Sequence, residues 1–331
     1  MDSEHINSAA ARTNLRIAGT GAALPERCVT NDELSRLLDT SDEWIVTRTG
    51  IRERRVVTTD TITQLAVTAA RQALAEAEVN AEQLDVILCS TLEGDTKTPS
   101  LACVVAGELG AHCAAFDVNA ACAGFIYALD IASRYLQTGA SNVLIICAEQ
   151  MSRHADWTDR RTCVLFGDGA GAVVAQRGGE LRHLHISTDG DDAILNIPTN
   201  SGNSPFAPDK QPPQFLHMDG GEVYKFAVKA VLRELDLAAR SGINAEDIDL
   251  YIIHQANRRI IDAVRERTGQ PPEKFPVNID RTGNMSSATI PVLLHELTQS
   301  GTVKSGQTLF FAAFGAGLTS GGCVLTIGKD D

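Results

Sequence analysis

The sequence lacks an excess of basic residues, a long apolar run and cysteines at metal-ligand spacing. Its 331 residues carry 29 Lys and Arg against 42 Asp and Glu, which gives a formal net charge of −13. Nucleic-acid binding needs a basic face, so this balance argues against that function. No stretch approaches the roughly 20 apolar residues of a membrane-spanning helix. The polar, acidic start is unlike a signal peptide, and we expect residues 1–14 to form a flexible extension.

The cysteines exclude further classes of protein. None of the eight has the paired spacing of a zinc site, so we expect no bound metal. The chain is too long, and at 44% too hydrophobic, to need a disulfide scaffold. Cysteines such as Cys89 and Cys147 lie in apolar runs. We expect seven of the eight to be reduced, small hydrophobic residues of a cytoplasmic protein.

Cys122 has a different setting. It lies where a short apolar strand leads into a helix over 125–136, which the spacing of apolar residues predicts. Unpaired backbone N–H groups and the macrodipole at a helix N-terminus favour a thiolate, which makes Cys122 a candidate nucleophile. His254 and Asn284 each lie in a turn after an apolar run. One Cys, one His and one Asn in such turns predict a catalytic constellation.

The chain also contains an internal repeat. Residues 80–90 closely resemble residues 244–254, and each segment follows an Ala- and Leu-rich helix. The repeat predicts an α/β fold of two duplicated halves packed face to face, over 15–177 and 178–331. Chance similarity between common helix–turn–strand units is the alternative. We place the boundary near 175–215, with an irregular surface loop at 200–213.

The repeat has a functional corollary. His254 occupies the place of Ser90 in the first half, at the carboxyl end of a strand. Open α/β sheets bind their ligands at this edge. The two halves are therefore expected to bring Cys122 and His254 to a shared junction.

An ordered set of motifs runs through most of the chain, from Leu15 to Ile327. These motifs are Asp39–Arg54, Ala121–Phe125, Thr158–Arg160, Phe166–Gly171, His254–Asn257, Asp280–Asn284 and Ala313–Gly317. Together they resemble the β-ketoacyl-acyl-carrier-protein synthase III family, the condensing enzymes that initiate bacterial fatty-acid synthesis. The resemblance implies the thiolase fold, with two α/β halves in layered αβαβα order. Phe166–Gly171 lacks the Lys-Ser/Thr of a phosphate-binding loop and leads into a strand, so we interpret it as structural.

The resemblance assigns the chemistry. Cys122 would attack an acyl-CoA thioester and carry the acyl group. His254, neutral, and Asn284 would donate hydrogen bonds to the enolate left by malonyl decarboxylation. The Cys122 N–H and the Ala316 turn would hold the oxyanion of the tetrahedral intermediate. Phe314 resembles the family residue that faces the nucleophile.

The resemblance also implies the partners. Acyl-CoA and malonyl-acyl carrier protein would be the substrates, without a separate cofactor, and the enzyme would be a homodimer. Four residues resemble those that hold CoA: Trp44, Arg48, Arg160 and Asn257. Three basic residues match positions that dock the acidic carrier protein: Lys225, Arg259 and Arg267.

Two departures concern the acyl pocket. Thr98 and Ser320 stand where family members commonly carry bulky residues, so we expect a roomier pocket that accepts C4 to C8 starters. A specialised-metabolite homologue that loads an unusual acyl group is therefore the alternative function. Papain-like proteases also order Cys, His and Asn along the chain, but their local cysteine motif and disulfides are missing. A non-catalytic carrier-binding scaffold conflicts with the intact Cys122, His254 and Asn284.

Overall fold

The computed structural model describes residues 15–199, 206 and 215–328, so the predicted extension and nearly all of the 200–213 loop lie outside it. The strands are β1 Arg16–Ala23, β2 Cys28–Thr30, β3 Glu53–Arg55, β4 Val86–Ser90, β5 Ala114–Val118, β6 Asn142–Gln150, β7 Asp168–Gln176, β8 Glu180–Asp191, β9 Leu195–Asn196, β10 His217–Met218, β11 Leu250–Ile253, β12 Thr308–Gly315 and β13 Gly317–Thr326. The helices are α1 Asn31–Leu34, α2 Asp42–Thr49, α3 Ile62–Glu76, α4 Leu101–Leu109, α5 Gly124–Gln137, α6 Gly220–Arg240, α7 Arg258–Thr268, α8 Ile279–Thr282 and α9 Thr289–Gln299.

Two sheets of matching topology dominate the fold. One sheet has the order β1-β7-β6-β4-β5, and the other has the order β8-β13-β12-β11. In the first sheet β4 runs parallel to β6, and β6 is antiparallel to β7. In the second sheet β11 likewise runs parallel to β12, and β12 is antiparallel to β13. β4 and β11 thus occupy equivalent places, as do β6 and β12. The predicted α/β fold of two duplicated halves is confirmed.

Helices lie on both faces of each sheet. α3 and α4 pack on the outer face of the first sheet, and α6 and α7 cover the outer face of the second. α5 and α9 lie between the sheets, in one apolar core to which both sheets contribute. Side-chain alternation along the strands supplies both layers, since Ile145 enters the central core and Ile146 the outer one. This is the layered αβαβα order of the thiolase fold.

The start of α5 fits closely against β4. A Cβ on Gly124 would lie 1.9 Å from the Ser90 Oγ, so glycine lets the helix begin against β4 without displacing that side chain. The predicted helix 125–136 is observed as Gly124–Gln137. Its first turn therefore reaches the carboxyl end of β4, and Cys122 lies immediately before that turn.

Two of the sequence motifs contribute buried charged residues, Arg54 and Asp168, that hydrogen-bond to neighbouring segments. Arg54 is fully buried and donates to the carbonyls of Val29 and Val164 and to Asn31 Oδ1, and burial lowers its pKa to about 10. Asp168, also fully buried, accepts hydrogen bonds from the Ser152 N–H and hydroxyl at 2.8 and 2.6 Å. The segment Phe166–Gly171 thus leads into β7 and has a structural part, as its sequence indicated.

Candidate active site

One cavity lies at the junction of the two halves. It has a volume of about 870 Å³, and Cys122, His254 and Asn284 all line it. The strand ends of both sheets point toward it, as the repeat predicted. The three side chains are separated by at least 30 positions in the sequence, so the duplicated fold is what brings them together.

Cys122 lies in a single 3-10 turn, Ala121–Ala123, which leads directly into α5. Ala121 has a φ of +47°, an unusual backbone conformation for a residue with a side chain. Burial raises the pKa of the Cys122 thiol to about 12, while a hydrogen-bonding interaction with the Ser286 side chain opposes this effect. The expectation that the helix N-terminus leaves a thiolate omitted this desolvation, which depends on the packing around the turn.

His254 follows β11 and is only 1% exposed. Burial lowers its pKa to about 3, so the ring is neutral at physiological pH. Its Nδ1 lies 2.6 Å from the Thr289 hydroxyl, which is also 3.1 Å from the Ser286 carbonyl. The tautomer that carries its proton on Nε2 is the one in which the Thr289 hydroxyl donates to Nδ1 in place of the Ser286 carbonyl. The ring packs edge-on against Phe314, with 5.2 Å between centroids.

Two hydrogen bonds fix the position of Asn284, one through its backbone N–H and one through its side-chain oxygen. Its N–H donates to the Leu165 carbonyl at 2.8 Å, and its Oδ1 accepts from the Ser286 N–H at 2.8 Å. The amide oxygen is therefore occupied, and the Nδ2 group makes no hydrogen bond to another described residue. This orientation leaves the Asn284 N–H donors available to a ligand in the cavity.

The turn after β12 approaches Cys122 closely. A Cβ on Gly315 would lie 2.6 Å from the Cys122 backbone N, so glycine permits the contact. The Thr319 hydroxyl lies 2.9 Å from the Ala120 carbonyl and 3.0 Å from the Ala316 carbonyl, which ties this turn to the Cys122 loop. Ala316 and Phe314 both line the cavity, beside Cys122.

The cavity mouth carries the cationic and aromatic residues expected for CoA. The Arg48 guanidinium lies 4.5 Å from the centroid of the Trp44 ring, and that of Arg160 lies 5.2 Å from it. Asn257 caps α7 by accepting from the Arg259 N–H at 2.9 Å and donates to the Arg48 carbonyl at 3.1 Å. One amide hydrogen of Asn257 thus remains for a ligand.

The sequence analysis missed one cation at this mouth. Arg161 lines the cavity, whereas Arg160 does not line it and instead pairs with Asp39. The adjacent Arg161 forms a salt bridge with Asp159. Two consecutive arginines cannot be told apart by motif, because only the backbone path decides which one faces the cavity.

The three predicted docking residues are exposed on α6 and α7. Arg259 lies over the Tyr224 ring at 5.6 Å and also lines the cavity. Lys225 pairs with Glu222 at 2.7 Å. Arg267 is in the last turn of α7. Their role in carrier-protein docking stays a prediction.

Ser320 does not face the cavity, so the expectation that it makes the acyl pocket roomier is wrong. This residue is 1% exposed, lies outside the cavity wall, and its hydroxyl is 2.5 Å from Arg233 Nη2 and 3.2 Å from Ser187 Oγ. The adjacent Thr319 takes the cavity side of β13, so Ser320 points to the opposite face. Arg233 fills the space there, and Ser320 does not enlarge the pocket. Thr98 is exposed and does not line the cavity within this chain.

Apolar residues that the sequence analysis did not single out complete the wall. They lie after β8 and around the short β9–β10 pair: Leu195, Ile197, Leu216 and Met218. These strands have two residues each and no hydrophobic period, so sequence pattern gives no signal for them.

The described part of the chain was also expected to lack a metal site and disulfides. No cluster of three or more His, Cys, Asp or Glu residues there could hold a metal ion. All eight cysteines are free thiols. Among the described residues, no helix combines the length and apolarity that crossing a membrane requires.

A cysteine at a buried helix start, with a neutral histidine and an oriented asparagine between two duplicated α/β halves, defines a thiolase-fold condensing enzyme. Comparisons with known proteins agree. Residues 116–190 match the family model of 3-oxoacyl-[acyl-carrier-protein] synthase III, and residues 238–327 match the model of its C-terminal part.

The similarity extends over nearly the whole length of several relatives. The chain is 46% identical to the curated β-ketoacyl-[acyl-carrier-protein] synthase III of Xanthomonas campestris, over 94% of this chain and 97% of the relative. The crystal structure of the Aquifex aeolicus synthase III superposes with a TM-score of 0.88 at 43% identity, covering 94% of this chain and 99% of that one. The structure of the priming β-ketosynthase from the R1128 polyketide pathway gives 0.89 at 35% identity, covering 98% and 99%. The chain belongs to the β-ketoacyl-acyl-carrier-protein synthase III family and is an acyl-transferring condensing enzyme.

Proposed function

We propose that this enzyme transfers an acyl group from acyl-CoA to Cys122 and then condenses it with malonyl-acyl carrier protein. The products are β-ketoacyl-carrier protein, CoA and CO2, the first elongation of fatty-acid synthesis. The observation that carries these residue assignments is the single cavity that Cys122, His254 and Asn284 line together. The higher identity to curated synthase III enzymes than to the polyketide priming enzyme favours this function over the specialised-metabolite alternative.

The first half-reaction uses Cys122 and the turn beside it. The sulfur attacks the thioester carbon, and negative charge develops on the carbonyl oxygen. Gly315 lies against the Cys122 backbone N, so the N–H groups of Cys122 and Ala316 are the candidates for the oxyanion hole. The C–S bond to CoA then breaks and leaves the acyl group on Cys122.

The second half-reaction uses His254 and Asn284. Loss of CO2 from the malonyl thioester leaves an enolate whose oxygen carries negative charge. In the tautomer that carries its proton on Nε2, His254 is a neutral donor like the Asn284 Nδ2 group. Neither atom has another described partner, so both are available for that oxygen. Because burial holds the pKa of His254 at about 3, it acts as a hydrogen-bond donor and not as a proton carrier. The carbanion then attacks the acyl carbon on Cys122.

The surroundings support the substrate assignments. Trp44 with Arg48 and Arg160 would hold the CoA nucleotide, because an indole and guanidinium groups stack on adenine and pair with phosphate. Arg259 is both exposed and at the cavity mouth, which suits a dock for an acidic carrier. We further propose a homodimer, in which the loop that contains Thr98 reaches the partner's pocket, and a cytoplasmic location, which the eight free thiols suit.

Intact-protein mass spectrometry tests the acylation. Wild-type enzyme mixed with an acyl-CoA should gain the mass of one acyl group, and Cys122→Ala should gain none. Cys163→Ala is a matched control, since Cys163 is buried away from the cavity. An undiminished adduct in Cys122→Ala would contradict the assignment of the nucleophile.

A further inference from the structure

A buried carboxylate connects the two halves of the chain beside the cavity. Glu149, near the end of β6, is 1% exposed and does not line the cavity. Its Oε2 accepts from the Leu92 N–H at 3.0 Å, and its Oε1 accepts from the Ser286 and Ser287 hydroxyls at 3.0 and 2.7 Å. No salt bridge among the described residues includes Glu149. Burying a carboxylate without a cation is costly, so these three hydrogen bonds are what hold it in the fold.

The turn that this carboxylate holds also contacts both proposed enolate donors. Ser286 begins the turn and has a φ of +49°, a conformation that a residue with a side chain keeps only when its surroundings fix it. Its N–H donates to Asn284 Oδ1 at 2.8 Å. The turn leads directly into Thr289, the first residue of α9, whose hydroxyl lies 2.6 Å from His254 Nδ1. The position of this turn therefore sets the orientation of both donors.

We propose that Glu149 is a positioning residue that aligns the two enolate donors for malonyl decarboxylation. The proposal rests on the roles of His254 and Asn284 proposed above. By binding the two serine hydroxyls, the carboxylate holds the turn against β6. There the Ser286 N–H occupies Asn284 Oδ1, which leaves the Asn284 Nδ2 group as a donor. The same placement keeps the Thr289 hydroxyl at the His254 ring.

The sign of the charge favours positioning over direct stabilisation. Decarboxylation creates a negative enolate, which a nearby anion can only repel. Glu149 lies outside the cavity wall, so it does not touch the substrate. Its contribution therefore comes through the donors that it helps to place. Such donors must lie roughly 3 Å from the developing charge, and a displacement of about 1 Å can cost about a hundredfold in rate.

Acylation depends on a different set of contacts. The turn after β12 is tied to the Cys122 loop by the close approach of Gly315 and by the Thr319 hydroxyl, and none of these contacts involves Glu149. Burial and, to a smaller extent, the charge of Glu149 raise the pKa of Cys122, so removing that charge should not slow acylation. The two half-reactions should therefore respond differently to loss of the carboxylate.

Two rates measured on each variant test the proposal: single-turnover acylation from an acyl-CoA, followed by intact mass, and release of CO2 from a malonyl thioester. Glu149→Leu removes both acceptor oxygens at similar volume, so the kcat for CO2 release should fall about thirtyfold or more, with little change in KM. Acylation should not fall by more than about threefold. Glu234→Leu is the matched control, because Glu234 is also a fully buried glutamate but lies on α6 beside His185, outside the cavity wall. It should change neither rate by more than about threefold.

Glu149→Gln separates hydrogen bonding from charge. Its amide oxygen can accept from the Leu92 N–H, and its two amide hydrogens can reach both serine oxygens. CO2 release in this variant should therefore stay within about fivefold of wild type. A carboxylate that acted by its charge or as a proton acceptor would instead lose as much activity in Glu149→Gln as in Glu149→Leu, and that result would overturn the proposal.

Ser286→Ala tests the same connection with the carboxylate intact, so it does not depend on the folding of Glu149→Leu. It should reduce CO2 release about tenfold and slow acylation by no more than about threefold. If Glu149 acts through Ser286, the double variant should lose no more CO2 release than Glu149→Leu alone, because two residues of one hydrogen-bond network do not have additive effects.

The opposite outcomes are distinct. If CO2 release and acylation fell together in Glu149→Leu and Ser286→Ala, or if neither rate fell, the positioning role would be wrong. Losses that multiplied in the double variant would also overturn it. Failure of the proposed function has a different signature, since His254→Ala and Asn284→Ala would then release CO2 as fast as wild type, whatever the Glu149 variants do.

Discussion

Replacing Gly315 with alanine tests whether the turn after β12 must approach the nucleophile. The added Cβ would lie 2.6 Å from the Cys122 backbone N and 3.2 Å from the Cys122 Cβ. Ordinary contact begins near 3.4 Å, so the turn must retreat by about 0.8 Å. Both neighbours belong to the segment that holds the nucleophile and neither is a flexible side-chain end. The displacement therefore falls on the backbone N–H groups of the proposed oxyanion hole.

The expected effect is a loss of acylation with little loss of folding. Misplacing one such donor typically costs about a hundredfold to a thousandfold in rate, or roughly 3 to 4 kcal/mol of transition-state stabilisation. Rapid-quench mass spectrometry of the acyl adduct measures this rate, and the Tm reports the fold. Gly107→Ala, in α4, is the control, because its Cβ would meet nothing within 4 Å. If Gly315→Ala acylates within threefold of wild type, the close approach does not serve catalysis.

Other measurements examine the remaining assignments. His254→Ala and Asn284→Ala should each reduce malonyl decarboxylation about a hundredfold while slowing acylation less than tenfold. A variant that loses acylation but keeps decarboxylation would place its residue in the first half-reaction instead. The His254 ring should remain neutral at pH 5 by NMR. Because its folded pKa of about 3 lies below the unfolded value of about 6.5, His254 should cost wild type ~1.4 kcal/mol of stability per pH unit between these two pH values, a contribution that His254→Gln should lack. Arg259→Glu should lower kcat/KM for malonyl-carrier protein about fivefold at low salt, whereas the exposed Arg240→Glu should not; equal effects would remove Arg259 from the dock. Thr98→Phe should shorten the preferred acyl-CoA in a chain-length panel, and an unchanged preference would show that this loop does not limit the pocket.

Sequence pattern predicted the parts of the molecule that depend on local periodicity and on the repeat. The equivalence of β4 and β11 followed from two similar segments, and it placed His254 at a strand end beside the cavity. The helix after Cys122 was predicted to within one residue at each end. Apolar spacing sets the face and length of a helix, so these features are encoded locally.

Features that depend on distant packing were not predictable. The raised pKa of the Cys122 thiol results from burial and from the nearby Glu149, while Ser286, far along the chain, opposes the rise. The error at Ser320 arose from strand alternation, because a shift of one residue exchanges the two faces of β13. The space beyond Ser320 is occupied by Arg233 from α6, a partner that no local pattern identifies.

The helices of the central layer make the stability of each half depend on the other. α5 is continuous with the first half of the chain, yet it packs on β12 and β8 of the second sheet; α9 comes from the second half and packs on β1 and β7 of the first. Each half thus contributes a helix that packs on the sheet of the other half. A chain cut between the halves would expose both inner sheet faces to water, so neither fragment should fold alone. We expect the protein to unfold in one cooperative transition although it contains two similar halves, because a helix from each half packs on the sheet of the other.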